Sequence, residues 1–137
     1  MSEDNAARVR RWFEEVWNRG RAEVIDEMFA TDGVAHGLAE EGGDLHGPEE
    51  FKVFHARFMG AFPDMQITIE DVLSDGDRTA VRLTGTATHR GDHLGVDATH
   101  RAVRFTGMTF ARWRDGKIVE GWNNVDIAGI LQQIGMP

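Results

Sequence analysis

The sequence predicts an α+β fold in which helices pack on one face of a curved antiparallel sheet. Two observations carry this prediction. Before Pro63, apolar residues recur at three- and four-residue spacing, which is the period of helices. After Pro63 they alternate with polar residues, which is the period of strands. The length of 137 residues predicts a single domain spanning 1–137.

Three helices are predicted before Pro63. The first covers 5–19, where an apolar stripe opposes charged side chains, and a shorter second helix covers 21–29. The third begins at Pro48, because proline suits the first position of a helix. Its apolar stripe consists of Phe51, Phe54, His55 and Phe58.

Between the second and third helices the pattern is less regular. A turn is predicted at 31–33, followed by a short extended piece at 34–36. The glycine-rich stretch 37–47 is predicted to be a loop, since clustered glycine and acidic residues interrupt both periods.

The period-two region predicts four strands and a short final helix. Ser74 to Asp77 and the pair Asp115-Gly116 are strong hairpin turns. The strands are placed at 65–73, 78–90, 101–113 and 117–125, and the helix at 127–133. The outer face of this sheet needs a cover, and a homodimer is expected to supply it. The candidate interface residues are Ile69, Thr106, Met108, Phe110 and Trp122.

Composition excludes several classes of protein. The chain has no cysteine, so disulfides, thiolate metal sites and cysteine nucleophiles are absent, and no tyrosine, so no phenol can act as acid or oxyanion donor. The net charge of −8 argues against nucleic acid and anionic membranes as partners. No apolar run approaches the length of a membrane span, and the acidic start lacks a signal-peptide pattern, so a cytoplasmic protein is expected.

Histidine is the residue type best suited to acid/base chemistry here, because its unperturbed pKa lies near neutrality. His36 ends the short extended piece, and His89 ends a strand face of small and apolar residues. Each has a structural alternative: a rim histidine bonded to backbone for His36, and a hairpin-fixing histidine for His89. His55 is expected to be a neutral core histidine, or a pocket residue if the cavity opens beside its helix.

A metal site is not predicted, and neither is a cofactor. His89, Asp92, His93, Asp97 and His100 crowd one loop, but their spacing matches no familiar metal site. The aromatic stock instead indicates a core with an apolar small-molecule pocket, which typically contains few polar groups. The residues expected to bind such a molecule include Trp17, Phe54, Phe58 and Trp113.

Several short motifs, in this order, resemble one known family. They are VWNRG (16–20), FPD (62–64), THRG (88–91), GV (95–96) and DGKIVEGW (115–122) with the pattern continuing to Gly135. The chain resembles the SnoaL-like polyketide cyclases, within the nuclear-transport-factor-two-like superfamily of cone-shaped α+β barrels. The resemblance implies a conical cavity used by different members for cyclisation, isomerisation, hydration or binding.

The resemblance also assigns roles to particular positions. The aspartate that serves the family's cyclases as acid/base falls on Asn123, and its histidine partner falls on Thr109. An amide can donate a hydrogen bond to a carbonyl or enolate but cannot take its proton. In the related ketosteroid isomerases the general base occupies the place of His36. Asp126 matches the family too and is a further catalytic candidate, and it is equally well explained as the N-cap of the last helix.

Two classes of function therefore follow. The first is a cofactor-free enzyme that acts on an apolar, carbonyl-bearing small molecule, with polyketide cyclase-like aldol closure as the nearest specific reaction. His36 or His89 would be the base, with Asn123 holding the oxyanion. The second is a dimeric protein that binds a hydrophobic ligand without chemistry. An isomerase or hydrolase of the same superfamily is a third alternative.

Overall fold

The computed structural model describes residues 2–39, 43–92 and 95–135. The helices are α1 (Ser2–Trp12), continued by a π-helical segment (Phe13–Asn18), then α2 (Glu23–Met28), α3 (Gly47–Ala61) and α4 (Ile127–Gln133). The strands are β1 (Phe29–His36), β2 (Asp44–His46), β3 (Gln66–Asp75), β4 (Arg78–Thr88), β5 (Ala102–Arg114) and β6 (Lys117–Val125). In the described parts of the chain, no helix has the length and apolar character that crossing a membrane requires.

The strands form one curved, unclosed sheet in the order β2-β1-β6-β5-β4-β3. Hairpins join β3 to β4 and β5 to β6, as the turn residues predict, and the long β4–β5 pair is antiparallel too. The α+β class is confirmed, but the expectation of a wholly antiparallel sheet is wrong at one pair. Strand β1 runs parallel to β6, which is possible because α3 and four strands separate them along the chain.

The region between α2 and α3 holds more strand than the sequence predicts. The predicted turn at 31–33 lies inside β1, where the pairing with β6 shifts register between Phe29 and Val34. A Cβ at Gly33 would lie 2.9 Å from the Ala30 oxygen and 3.0 Å from the Ile118 oxygen, so only glycine lets the backbone pass this closely. Long-range pairing thus overrides a local turn signal.

Part of the predicted loop 37–47 is also a strand. Residues 44–46 form β2, which pairs with β1 so that Ala35 faces Leu45, and both side chains are buried. Residues 40–42 of the predicted loop lie outside the described residues. Three residues are too few to show an alternating pattern in a sequence, which is why this strand was not predicted.

The first helix ends in a wider turn than predicted. After Trp12 the chain is π-helical, with the Arg19 N–H donating to the carbonyl of Glu14 at 3.0 Å. This turn buries Phe13, Val16 and Trp17 together. Wide turns of this kind are frequent at functional sites, and here the turn places the rings of Phe13 and Trp17 towards the sheet.

The helices cover the concave face of the sheet and enclose the core. On β3, Ile69 packs against this core, so its expected place on the outer face is wrong. The register shift between Ile69 and Asp71 reverses the alternation, as a β-bulge does, and exposes Leu73 instead.

Candidate functional site

A mainly apolar cavity of about 90 Å³ lies between the helices and the concave face of the sheet. Its wall combines aromatic rings from the helical layer with aliphatic and small residues from the strands. The lining residues include Trp12, Phe13, Trp17, Phe51, Phe54, Phe58, Leu83, Phe105, Ala111, Gly121 and Val125. An apolar molecule can therefore leave water here without losing polar contacts.

The aromatic side of the wall is built by α3 and the π-helical segment. The ring of Trp17 lies 6.1 Å from that of Phe54 in an edge-to-face arrangement, and Phe54 lies 4.8 Å from Phe58. Such pairs hold one another in place, because quadrupoles favour edge-to-face and offset contacts. Trp17, Phe54 and Phe58 all line the cavity, whereas Trp113 does not: it is buried, with its Nε1–H donating to the Thr79 hydroxyl at 3.0 Å.

Among the described lining residues, the polar side chains besides the tryptophan indoles are Thr109 on β5 and Asn123 on β6. They are direct register partners across the β5–β6 pair. Asn123 Nδ2 donates to the backbone carbonyl of His36 at 3.0 Å. A carbonyl oxygen only accepts, so this contact fixes which end of the amide faces β1 and leaves Oδ1 and one N–H for a ligand.

None of the described lining side chains titrates. His36, His55, His89 and Asp126 are all absent from the cavity wall. The wall therefore offers a hydroxyl and an amide, which can donate and accept hydrogen bonds but cannot remove a proton from carbon.

His36 lies at the end of β1 with its ring on the outer side of the sheet. Its Nδ1 is 2.8 Å from Asp44 on β2, and its Nε2 is 2.7 Å from Glu120 on β6. The ring also lies 5.6 Å from that of Trp122. These bonds, to Glu120 first and to Asp44 second, raise the pKa of His36 above its ordinary value. Sequence reasoning missed the two carboxylates, because Glu120 lies far from His36 along the chain and Asp44 belongs to β2, a strand that the sequence does not predict.

His89 is fully buried where β4 ends, against Phe62 at 5.6 Å. Its Nδ1 accepts the backbone N–H of Thr99 at 3.2 Å, with the Thr99 hydroxyl at 3.0 Å. The proton of the neutral ring therefore sits on Nε2, which has no hydrogen-bond partner among the described residues. His93 lies outside the described residues, and within them no cluster of His, Asp and Glu is arranged to hold a metal ion.

His55 and Asp126 each bond to backbone. The Nε2–H of His55 donates to the Val16 carbonyl at 2.7 Å, and burial lowers the pKa of this histidine. Asp126 accepts the N–H of Gly129 at 2.9 Å as the N-cap of α4. The structure thus gathers Trp17, Phe54, Phe58, Thr109 and Asn123 around one cavity and leaves the other candidates outside it.

Solved structures share this architecture. A candidate SnoaL-like polyketide cyclase from Jannaschia sp. CCS1 superposes with a TM-score of 0.87 at 24% identity, covering 99% of this chain and 94% of that one. IdmH from Streptomyces antibioticus, described as a candidate polyketide cyclase, gives 0.76 at 32% identity, covering 90% and 94%. AclR from Streptomyces galilaeus, described as a candidate hydroxylase, gives 0.81 at 29% identity, covering 98% and 82%. These matches define the class as a nuclear-transport-factor-two-like α+β cavity protein.

The family follows from the sequence match. Residues 7–134 match the SnoaL-like polyketide cyclase family, so the chain belongs to that family. The aklanonic acid methyl ester cyclase DnrD of Streptomyces peucetius is 29% identical over 133 residues, covering 94% of this chain and 89% of the relative. Its counterpart DauD from Streptomyces sp. strain C5 is also 29% identical over 133 residues, covering 94% and 80%.

Proposed function

We propose that this protein closes a ring in an apolar, carbonyl-bearing polyketide by intramolecular aldol addition, with Thr109 and Asn123 holding the reacting carbonyl. The observation that carries the proposal is the pairing of Thr109 with Asn123 across β5 and β6. Their side chains lie side by side at one point on the wall of a mainly apolar cavity. Family membership and the cyclase relatives support the reaction type.

In this reaction an enolate carbon attacks a carbonyl carbon of the same molecule. One carbon–carbon bond forms, and the carbonyl oxygen becomes an alkoxide that takes up a proton. The Thr109 hydroxyl and the free N–H of Asn123 donate to that oxygen as its charge grows, which stabilises the transition state more than the substrate. The aromatic wall of the cavity keeps the polyketide substrate folded, so that its enolate carbon and its carbonyl carbon lie close together.

The enolate forms when a carbon between two carbonyl groups gives its proton to a water molecule, and the alkoxide oxygen takes that proton back after the carbon–carbon bond has formed. This step needs no titratable side chain on the wall, in keeping with the described lining. The roles of His36 or His89 as a general base, of Asp126 in catalysis and of His55 and Trp113 in binding stay predictions. So do cofactor independence and the cytoplasmic location.

The test uses aklanonic acid methyl ester, the substrate named for the relatives, and follows formation of the cyclised product. Replacing either donor, as Thr109→Val or Asn123→Leu, is expected to lower kcat by about 100-fold, the usual effect of losing one oxyanion donor. Thr106→Val on the exposed face of β5 is the matched control and should leave the rate unchanged. Full rates in both cavity variants would contradict the assignment.

The absence of a titratable side chain on the described wall also favours a second function, ligand binding without chemistry. Binding can be followed through quenching of Trp12 and Trp17, whose rings line the cavity. A ligand that quenches this fluorescence and is recovered unchanged after long incubation would support the binding function against the cyclase.

A further inference from the structure

The ring of His36 makes two short contacts with carboxylates, Asp44 at 2.8 Å and Glu120 at 2.7 Å. Ionised carboxylates only accept hydrogen bonds, and a neutral imidazole carries a single N–H. Both contacts can therefore be hydrogen bonds at once only when both ring nitrogens are protonated. The two distances therefore fit an imidazolium that donates to Asp44 and Glu120, and these two hydrogen bonds link β1 to β2 and to β6.

The backbone of the same residue reaches the cavity. His36 is the last residue of β1, and its carbonyl oxygen accepts the amide N–H of Asn123 at 3.0 Å. The side chain of Asn123 lines the cavity on the concave face, whereas the ring of His36 lies on the outer side beside Trp122. One residue thus connects a charge cluster outside the sheet with a polar group inside the cavity.

We propose that His36 is a positioning residue: its ring, held between Asp44 and Glu120, fixes the end of β1 so that its carbonyl orients the Asn123 amide towards the ligand. This proposal deepens the proposed function and rests on it where turnover is concerned. It differs from a general-base role, because the ring itself never meets the substrate.

Loss of one proton disrupts this arrangement. The neutral ring keeps one N–H, so one of the two carboxylates must lose its bond and the end of β1 is held on one side only. The charged groups around the ring, among the described residues, are Asp44 from β2, Glu120 from β6 and Arg112 from β5, which lies 3.5 Å from Glu120. Arg112 stays charged throughout, so it keeps Glu120 in place while His36 titrates.

The direction of the pH dependence follows from the two shifted groups. The pKa of His36 is raised and that of Glu120 is lowered, the latter mainly by the bond from His36 and further by Arg112, against burial. The cluster is therefore complete from below the ordinary range of glutamate up to the raised pKa of His36. It is lost as pH rises through that raised value, which lies above 6.5.

The first experiment needs no ligand. In ¹⁵N-labelled protein, the side-chain amide signals of Asn123 are expected to move with the same midpoint as the ring of His36. His36→Gln should abolish this movement. His46→Gln is the matched control, since His46 is another histidine at this edge beside a carboxylate, 3.8 Å from Glu50, and should leave it intact. Asn123 signals that stay constant while the native His36 ring titrates would overturn the proposal.

Glu120→Gln gives the sharper test and does not depend on the stability of the His36 variant. The new amide oxygen can stay on Arg112 while its N–H donates to the neutral imidazole, whose own N–H still reaches Asp44. The neutral ring then keeps both contacts, so the Asn123 signals should hold their low-pH positions at high pH. Signals that move as in the native protein would overturn the proposal.

Turnover of aklanonic acid methyl ester supplies the functional readout. Above the His36 midpoint, native kcat should fall by about fivefold, the effect of one neutral hydrogen bond, with KM little changed. Glu120→Gln should retain the low-pH kcat there. If no turnover occurs at any pH, the proposed function fails, while the amide titration still decides whether His36 positions Asn123. If turnover occurs but its pH profile is the same in both proteins, the positioning role is wrong.

Discussion

His55 shows at the scale of one residue how burial decides a role. The sequence places it on an apolar helix stripe, and in the structure it is 3% exposed, with its Nε2–H on the Val16 carbonyl at 2.7 Å. That carbonyl lies near the end of the π-helical segment, where a helix leaves its last acceptors unpaired. Desolvation lowers the pKa of His55, so the ring is neutral near pH 7.

Acidification should therefore destabilise the fold through His55. Its folded-state pKa lies below the unfolded value of 6.5, so the unfolded chain binds the proton first. The stability it contributes is present above pH 6.5 and is lost as pH falls through the folded-state pKa. We expect His55→Leu to remove this dependence in urea unfolding measured across pH, and to cost about 1–3 kcal/mol at neutral pH because the Val16 carbonyl loses its donor.

His46→Leu serves as the control for this measurement, because His46 is exposed and its replacement should leave the loss of stability at acidic pH unchanged.

His36 affects the pH dependence of stability in the opposite direction. Its raised pKa contributes stability below 6.5 that disappears as pH rises through the folded-state value. If the stability of His55→Leu still falls at acidic pH as it does in the native protein, the assignment of His55 as a buried, neutral histidine is contradicted.

At the scale of elements, β4 and β5 share a close contact that shapes the cavity. Gly85 and Phe105 are register partners, and a Cβ at Gly85 would lie 2.1 Å from the Phe105 ring. The ring therefore rests on the bare backbone of β4, an arrangement known to stabilise strand glycines. Because Phe105 also lines the cavity, the glycine on one strand sets the wall position of an aromatic side chain on the next.

Gly85→Ala should push the Phe105 ring out of place and cost about 1–3 kcal/mol of unfolding free energy, the usual penalty of overpacking. Adding Phe105→Leu should restore part of that loss, since the smaller side chain leaves room for the new methyl group. A double-mutant cycle by urea unfolding measures this coupling. Additive effects of the two substitutions would show that the ring and the glycine are independent.

The last helix depends on its first residue. Asp126 accepts the Gly129 N–H at 2.9 Å, which is the bond of an N-cap. We expect Asp126→Ala to lower stability by about 1 kcal/mol, and Asp126→Asn, an equally good cap, to restore it. The unfolding midpoints of both variants provide the measurement. Loss of turnover in a well-capped Asp126→Asn protein would instead support the catalytic role predicted for this residue.

At the scale of the whole molecule, the outer face of the sheet carries four of the five large hydrophobic side chains that are exposed among the described residues. Leu73, Met108, Phe110 and Trp122 are 74%, 59%, 40% and 40% exposed, and they lie on β3, β5 and β6. A groove of about 520 Å³ runs between them. Exposed apolar patches of this kind mark interaction surfaces, and a second copy of the chain can cover one through a two-fold axis.

We therefore propose a homodimer formed through this face, with twice the 15.3 kDa mass of one chain in sedimentation velocity at micromolar concentration. Met108→Lys should shift the protein to the monomer, because a charge would be buried without a partner. Val53→Lys is the matched control: Val53 is 65% exposed but lies on α3, away from the sheet. A native monomer, or equal effects of the two variants, would rule out this interface.

Much of this molecule follows from periodicity and turn chemistry. The helical stripe of α3, the hairpin turns and the alternation along β4, β5 and β6 are local patterns, and the structure agrees with them. The alternation along β6 predicts that Val119, Gly121, Asn123 and Val125 share one face, and the last three do line the cavity. Val119 does not, because the pairing with β5 shifts register there and Ile118 lines the cavity in its place. Strand β2 has too few residues to show an alternating pattern, and the full length of β1 depends on its pairing with β6, which lies far along the chain.

By itself, the sequence determined the α+β class, the family motifs and the inward face of β6, since each depends on neighbours a few residues apart. Only the tertiary structure decided which candidate side chains meet. The parallel pairing of β1 with β6 brings the His36 ring to Glu120 and its carbonyl to Asn123, and the pairing of β1 with β2 brings the same ring to Asp44. Such contacts join residues up to 87 positions apart, and no local pattern encodes a distance across a sheet.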